Sequence, residues 1–440
     1  MRYLPSLAEI SRHRKLIRDQ AYNVALFFVS LVVSLLMVRV ITDNLAPEAY
    51  GLYRYVLAVL ALSTISAIPG FTKTMAGYVA QGYHATVATT TRWSFRTGTV
   101  GVAVLLVFGV HALATAADGA TTALFFTAAA IFLPHTIFQR YGPVLAGLRR
   151  FRDLLVFRTI SIVTLLLGAV LVLEVWEGGI VAFGVTQLFL QTTFYAIFYR
   201  FTVRRLTNTR VDEGFRRHSV IVSLVGLGSN LLTPGIQLFV NFALGGPQLA
   251  FFVIAKGIAD QAAAVVKPIT RPISIYLTQR GQARHNRALM RLIPLSLIGG
   301  AVLYGGIYFA IDLVGPYVIA DSYEISLFYA KLLALVVVIS PTYTLLSANI
   351  VFEKDNAALV SSSLAEQGVR FLGYVLFVRT YGIAAIAFTN VAAMLVQMAI
   401  ILFHIQRHIR GHSGPPGSPS ILQASTHPHT LRQDPTPPSV

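Results

Sequence analysis

Apolar runs of about 20 residues, each long enough to cross a bilayer as a helix, recur along nearly the whole chain between short polar stretches. In hydrocarbon the backbone N–H and C=O groups must be paired inside the protein, so such runs cross as helices. On this criterion six spans lie near 21–41, 51–68, 96–116, 119–139, 155–174 and 178–199, and six more near 219–243, 248–267, 290–314, 324–347, 356–378 and 382–404. Only 12% of the 440 residues are charged, where soluble domains carry roughly 25%. The expected fold is therefore all-α and polytopic, one membrane domain rather than two or three soluble ones.

The net charge of +17 is spread over alternate loops and forms no single basic face, which argues against a nucleic-acid partner and makes the charge a topology signal. Lys and Arg in short loops stay cytoplasmic. One side collects Arg12, Arg14, Lys15 and Arg18, then the loops with Arg140, Arg149, Arg150 and Arg152, with Arg200, Arg204, Arg205, Arg210, Arg216 and Arg217, and with Arg271, Arg280, Arg284 and Arg287. The other side holds Asp43, Glu48, Asp118, Glu174, Glu177, Asp321 and Glu324, with Arg379 as the exception. This predicts a multi-pass protein of the cytoplasmic membrane with both termini inside. Its parts are a basic N-terminus (1–20), a six-helix lobe (21–200), a basic linker (201–218), a second six-helix lobe (219–405) and a cytoplasmic tail (406–440). The first apolar run is too long for a signal-peptide core and is read as a retained span. The tail is rich in Pro, Ser, Gly and His without apolar periodicity, so disorder is expected there, and its His412, His427 and His429 are not read as a metal site.

A short internal repeat organises the spans. Thr72-Lys73-Thr74-Met75-Ala76-Gly77-Tyr78-Val79-Ala80-Gln81 aligns with Thr270-Arg271-Pro272-Ile273-Ser274-Ile275-Tyr276-Leu277-Thr278-Gln279, and Ala46-Pro47-Glu48 opens the second span as Gly246-Pro247-Gln248 opens the eighth. The offset of about 200 residues relates spans one to six with seven to twelve. An even number of spans per half makes the halves parallel, and parallel halves enclose a central cavity, the plan of an alternating-access transporter.

Polar residues at membrane depth cost roughly 2.5 to 3.5 kcal/mol for a charge and so tend to face a cavity or a partner. In the eighth span Lys256, Asp260, Lys267 and Arg271 fall on one helical stripe. In the seventh, Asn230, Gln237 and Asn241 share a side next to Pro234-Gly235, where a kink is expected. Arg39, Arg54, Lys73, Lys331 and the i,i+4 pair Glu366 and Arg370 complete the set. Cations predominate, which favours an anionic ligand, while Asp260 and Glu366 are the candidates for ion coupling. Each feature also has a structural reading. Lys256 with Asp260 and Glu366 with Arg370 form neutralised pairs on one view, and Arg39, Arg54, Lys73 and Lys267 lie near span ends where snorkelling explains them.

Enzymatic chemistry finds little support. The chain has no cysteine, no Gly-rich loop ending in Gly-Lys-Ser/Thr and no His-Glu-x-x-His pair. No metal or cofactor is expected, and the outer acids Asp43 and Glu48 are too sparse to carry a membrane glycosyltransferase or polymerase, which stays as an alternative.

The segment from Val40 to Tyr53, with Leu45-Ala46-Pro47-Glu48-Ala49-Tyr50-Gly51-Leu52-Tyr53 preceded by Arg39, resembles the first outer turn of Wzx-type polysaccharide flippases, whose pattern is Arg, a few apolar residues, then Leu-x-Pro-Glu-x-Tyr-Gly-x-Tyr. Ile68-Pro69-Gly70 with Tyr78-Val79 is similar to that family's end of the second span. The resemblance covers roughly the first hundred residues. It implies the multidrug/oligosaccharidyl-lipid/polysaccharide flippase superfamily, with two six-helix lobes around a central cavity, and a polyprenyl-pyrophosphate-linked oligosaccharide as cargo. It further implies that Arg54 and Lys256 meet the pyrophosphate, with Arg39, Lys73 and Arg271 as weaker transfers. A polysaccharide polymerase and glycosyltransferases would be partners. A cation-coupled exporter of small molecules with the same fold is the runner-up.

Overall fold

The computed structural model describes residues 7–115, 118–208, 210–264, 266, 282–353 and 356–411. Those residues are helical almost throughout, with no strand among them. The first half comprises α1 (Leu7–Asn44), α2 (Pro47–Ser63), α3 (Pro69–Ala80), α4 (Thr86–Ala114), α5 (Gly119–Phe138), α6 (Tyr141–Gly147), α7 (Phe151–Val170) and α8 (Gly179–Val203). The second comprises α9 (Phe215–Val225), α10 (Leu227–Leu244), α11 (Gly246–Ala264), α12 (Gln282–Val318), α13 (Ile325–Leu333), α14 (Val336–Glu353), α15 (Asn356–Tyr381) and α16 (Ile383–Gly411). Paired as α2–α3, α5–α6, α9–α10 and α13–α14, they make twelve passes in two groups of six.

Among the described residues nine helices are long and apolar enough to cross a membrane, and the α9–α10 pair, bent by 47°, is a tenth. The remaining passes are α11 and α15, each carrying an ion pair in mid-helix, Lys256 with Asp260 and Arg370 with Glu366. The protein is thus a multi-pass membrane protein. Helices overrun their apolar windows: α4 starts at Thr86 rather than near 96, and α12 at Gln282 rather than near 290. The reason is that a helix continues through polar residues once its hydrogen-bond ladder is running.

Two expectations are corrected. The bend in the seventh pass lies at Gly226, not at Pro234, which sits inside a continuous α10. Gly226 faces the Lys73 ammonium so closely that a Cβ there would lie 2.9 Å from Nζ. Arg140, counted above among the loop cations, occupies the turn between α5 and α6, but its side chain is only 1% exposed.

The halves meet at both ends. At the end formed by Asn44, Pro47 and Gly246, α2 packs on α10 and α11. A Cβ on Gly51 would lie 2.0 Å from the Gly246 carbonyl oxygen, so only glycine allows this backbone approach. The two helix starts paired by the internal repeat are therefore neighbours in space. The Tyr323 hydroxyl donates to the Leu45 carbonyl at 3.0 Å, and the Ala320 N–H donates to Thr42 Oγ1 at 3.2 Å. One apolar cluster runs across the seam, from Tyr50, Tyr53 and Val56 to Ala250, Ile254 and Tyr323. The repeat partner of Thr72–Gln81, at 270–279, lies outside the described residues.

Gly51→Val should force α2 from α11, since its neighbour is backbone and cannot rotate away. In this cysteine-free chain, a Thr42→Cys/Ala320→Cys pair should cross-link readily under mild oxidation in the parent and slowly in the Gly51→Val background. Equal rates would mean that this contact does not hold the seam.

Candidate functional site

Between the halves lies a cavity of about 570 Å³. Its walls are aliphatic, with Leu31, Leu35 and Val38 on α1 facing Ile307, Val314 and Val318 on α12. Its polar surface includes Arg54 from α2, Thr233 and Gln237 from α10, and Lys256, Asp260 and Gln261 from α11. A smaller chamber of about 280 Å³ lies within the second half, lined by Thr233, Lys256, Asp260, Arg370, Tyr374 and Asn390 among others. Thr233, Lys256 and Asp260 line both spaces and form the wall between them.

The helical period explains the charges on that wall. Lys256 and Asp260, one turn apart, close an ion pair of 2.6 Å in which the lysine side chain is 32% and the aspartate 64% exposed. In the chamber Arg370 donates to Glu366 at 2.6 Å, and the Tyr374 hydroxyl donates to Asn390 Oδ1 at 2.6 Å. Arg54 is in none of the ion pairs found among the described residues, and its buried Nε has no hydrogen-bond partner there. The interlobe cavity therefore presents two cations against one carboxylate. An unpartnered guanidinium and an accessible ammonium suit an anionic group with several acceptor oxygens.

The other residues singled out above lie elsewhere. Arg39 pairs with Asp43 at 2.5 Å and donates to the Tyr317 carbonyl at 3.5 Å, at the Asn44 end. Lys331 pairs with Asp312 of α12 and sits 4.5 Å from the Tyr308 ring centroid. Asn241 is near the end of α10, beside Gly246. Lys73 donates to Asn230 Oδ1 at 3.2 Å, one turn before the cavity-lining Thr233, in a second contact between the halves. Arg271 and Lys267 lie outside the described residues.

That second contact is a clasp between α3 and α9. The Gly70 N–H donates to Ser223 Oγ at 2.7 Å, the hydroxyls of Thr74 and Ser219 lie 2.8 Å apart, and Tyr78 Oη is 2.9 Å from His218 Nδ1. Phe215 stacks on Phe71 and meets Tyr78 edge to face, and the Arg216 guanidinium lies 3.9 Å from the Trp93 ring centroid. A Cβ on Gly70 would fall 1.9 Å from the Ser219 carbonyl oxygen. The hydropathy profile gives no hint of this clasp. The spacing Gly70-Thr74 against Ser219-Ser223, small residues four apart on each helix, is the signal that marks it.

No family model matches the sequence, and no curated protein is similar to it in sequence. Solved structures of the same fold are similar. One, described as the inward-facing conformation of a multidrug resistance MATE family transporter of the MOP superfamily, has a TM-score of 0.65 at 14% identity, over 88% of this chain and 100% of its own. A MOP superfamily transporter from Pyrococcus furiosus, described by the reverse polarity of its binding pocket, gives 0.57 at 14% identity over 89% and 95%. The lipid II flippase MurJ in an inward closed conformation gives 0.54 at 13% identity over 89% and 87%. This chain shares the fold of these structures, with its twelve passes in two groups of six.

Phe215 is 1% exposed, and Phe215→Ala should forfeit roughly 3 to 5 kcal/mol of packing. A Thr74→Cys thiol, covered by Ser219 in the parent, should then react with a maleimide at least about tenfold faster. An unchanged rate would mean that the aromatic stack does not hold the clasp.

Proposed function

We propose that this protein is an alternating-access flippase that moves a polyprenyl-pyrophosphate-linked oligosaccharide across the cytoplasmic membrane for polysaccharide biosynthesis. The observation that carries the reading is the interlobe cavity, whose aliphatic α1 and α12 walls lead to the unpartnered Arg54 and to Lys256. An amphiphile matches both parts. Its isoprenoid chain can stay against the apolar walls, and its pyrophosphate replaces the hydration of the guanidinium and ammonium with charge-assisted hydrogen bonds. The Wzx-like turn at Leu45–Tyr53 and a fold shared with a structure described as a lipid II flippase support the same cargo class.

In this reading the basic loops are cytoplasmic, so both termini are inside and the Asn44 end is outside. The two seams are then the gates: Gly51 against Gly246 seals the outer end, and the α3–α9 clasp the inner one. Cargo enters between α1 and α12, meets Arg54 and Lys256, and leaves when the outer seam parts. The protein itself makes and breaks no covalent bond. Glycosyltransferases would supply the assembled unit, and a polymerase would consume it. Arg39, Lys73 and Arg271 would assist at the ends of the path.

One observation favours a second reading. The Asp260 carboxylate faces both spaces and is well exposed, as a cation-coupled exporter of small molecules requires, with Glu366 as its companion. Proton- or sodium-dependent dye efflux from vesicles would decide for that reading.

The test is functional. Loss of a charge-assisted contact to phosphate costs roughly 1.5 to 3 kcal/mol, so Arg54→Ala and Lys256→Ala should each weaken binding of a polyprenyl pyrophosphate roughly ten- to a hundredfold. In a deletion strain both variants should insert normally and leave lipid-linked saccharide on the cytoplasmic leaflet. Full-length polysaccharide export by both variants would overturn the site. Flipped but unpolymerised units outside the parent deletion strain would favour a polymerase.

A further inference from the structure

The geometry points to Arg140 as the residue that positions the α3–α9 clasp: its buried guanidinium fixes the angle at which α3 leaves the broken second pass. Its bearing on transport rests on reading the clasp as a gate of the alternating-access cycle.

The second pass is interrupted between α2 and α3 by a 3₁₀ turn at Thr64–Ala67 and by Ile68, which has φ 56°. That is a left-handed conformation disfavoured for a β-branched side chain. Pro69 then starts α3 without an N–H, and the Phe71 N–H goes to the Ile68 carbonyl at 3.0 Å. The Ala67 carbonyl is therefore left without its helical donor, in a residue only 3% exposed.

Arg140 and Ser94 take over that acceptor. The Ser94 hydroxyl donates to the Ala67 carbonyl at 2.9 Å, and Arg140 Nη2 donates to the same oxygen at 3.3 Å and to Ser94 Oγ at 2.5 Å. Arg140 Nη1 donates to the Thr90 carbonyl on α4 at 3.2 Å. The guanidinium also lies 5.9 Å from the Phe71 ring centroid, and Phe71 stacks directly on Phe215 of the clasp. One side chain from the α5–α6 turn thus ties the break to α4 and supports the first aromatic of α3.

A buried charge without a counter-ion is costly, and none of the ion pairs among the described residues includes Arg140. A neutral hydrophobe would fill the volume more cheaply. What it cannot do is span the Ala67 and Thr90 carbonyls at once, and that fork is a guanidinium property. Every residue that α3 gives the clasp, from Gly70 to Tyr78, lies beyond the break, so its position follows the angle set there.

The experiment uses the cysteine-free full chain in detergent, without cargo, with Thr74→Cys/Ser219→Cys reporting the clasp and Thr42→Cys/Ala320→Cys reporting the opposite seam. Arg140→Gln should slow clasp cross-linking roughly tenfold, the order carried by hydrogen bonds to a charged group, and leave the opposite seam unchanged. Arg140→Lys keeps the charge without the fork and should fall between. Parental clasp rates in folded Arg140→Gln overturn the proposal, as does a parallel loss at both ends, which would mark a general structural role. If Arg140→Gln does not fold, Arg140→Lys and Ser94→Ala decide: slowed clasp cross-linking in both supports the assignment, and a parental rate in either overturns it. Cargo movement by clasp-cross-linked protein would instead sink the gate reading and leave the role of Arg140 in the clasp standing.

Discussion

A membrane-spanning backbone has no water to fall back on, so each interruption of a helix must be answered by a donor or acceptor from a neighbour. Four passes are interrupted among the described residues, and three of the breaks have a polar side chain from elsewhere in the fold beside them. Ala67 is met by Ser94 and Arg140. The Gly226 bend lies beside Lys73 and Asn230, which bond to each other across the halves. Near the α13–α14 break, the Tyr304 hydroxyl donates to the Lys331 carbonyl at 3.3 Å. Two of these three answers lie where one half meets the other at the basic end. The breaks are what let α3 and α9 leave their own passes and lie against each other.

The same economy governs charge. Arg39 with Asp43, Lys256 with Asp260, and Arg370 with Glu366 are all pairs one turn apart, closed within their own helices. Local closure lets a helix carry ionisable groups through hydrocarbon at reduced cost and keeps them available to a ligand that offers better acceptors. The basic character inferred by counting cations is consequently reduced in the structure. It is concentrated on Arg54, the cation at the cavity without such a partner, with the Lys256 ammonium held in reserve by a carboxylate that is mostly solvent-facing.

Much of this was legible in the amino-acid order, and what was not has a common cause. Span number, the two-half plan and the i,i+4 pairs depend on residues near one another in sequence, and hydropathy or helical period exposes them. The bend at Gly226 escapes local inference because no proline marks it, whereas Pro234 sits inside a continuous α10. Arg140 was grouped with Arg149 and Arg150 because a basic turn residue reads as solvated, and only the long-range position of Ala67 and Thr90 shows why it turns inward. Asn230, placed with Gln237 on one helical face, lies at the bent end of α10 and bonds Lys73 of the other half, while Gln237 two turns on lines the cavity. Arg54 and Lys256 stand apart, since the motif and the stripe pointed to them and the geometry brings both to one cavity.

The chemistry of the two seams gives the molecule a direction. At the Asn44 end the contact is backbone on backbone at Gly51 and Gly246, with an apolar cluster behind it, so parting it exposes surface that gains nothing from water. At the basic end the clasp joins an aromatic stack of Phe71, Phe215 and Tyr78 and a close Gly70–Ser219 backbone approach to hydroxyls, an imidazole, an amide and a lysine, and these polar groups each find a substitute partner in water once separated. The two seams thus differ in their polar share, which is larger at the basic end, where hydrogen bonds to side chains outnumber those of the other seam. On the proposed flippase reading, discharge at the glycine seam means parting the Gly51–Gly246 contact, and the apolar cluster behind it finds no substitute partner in water.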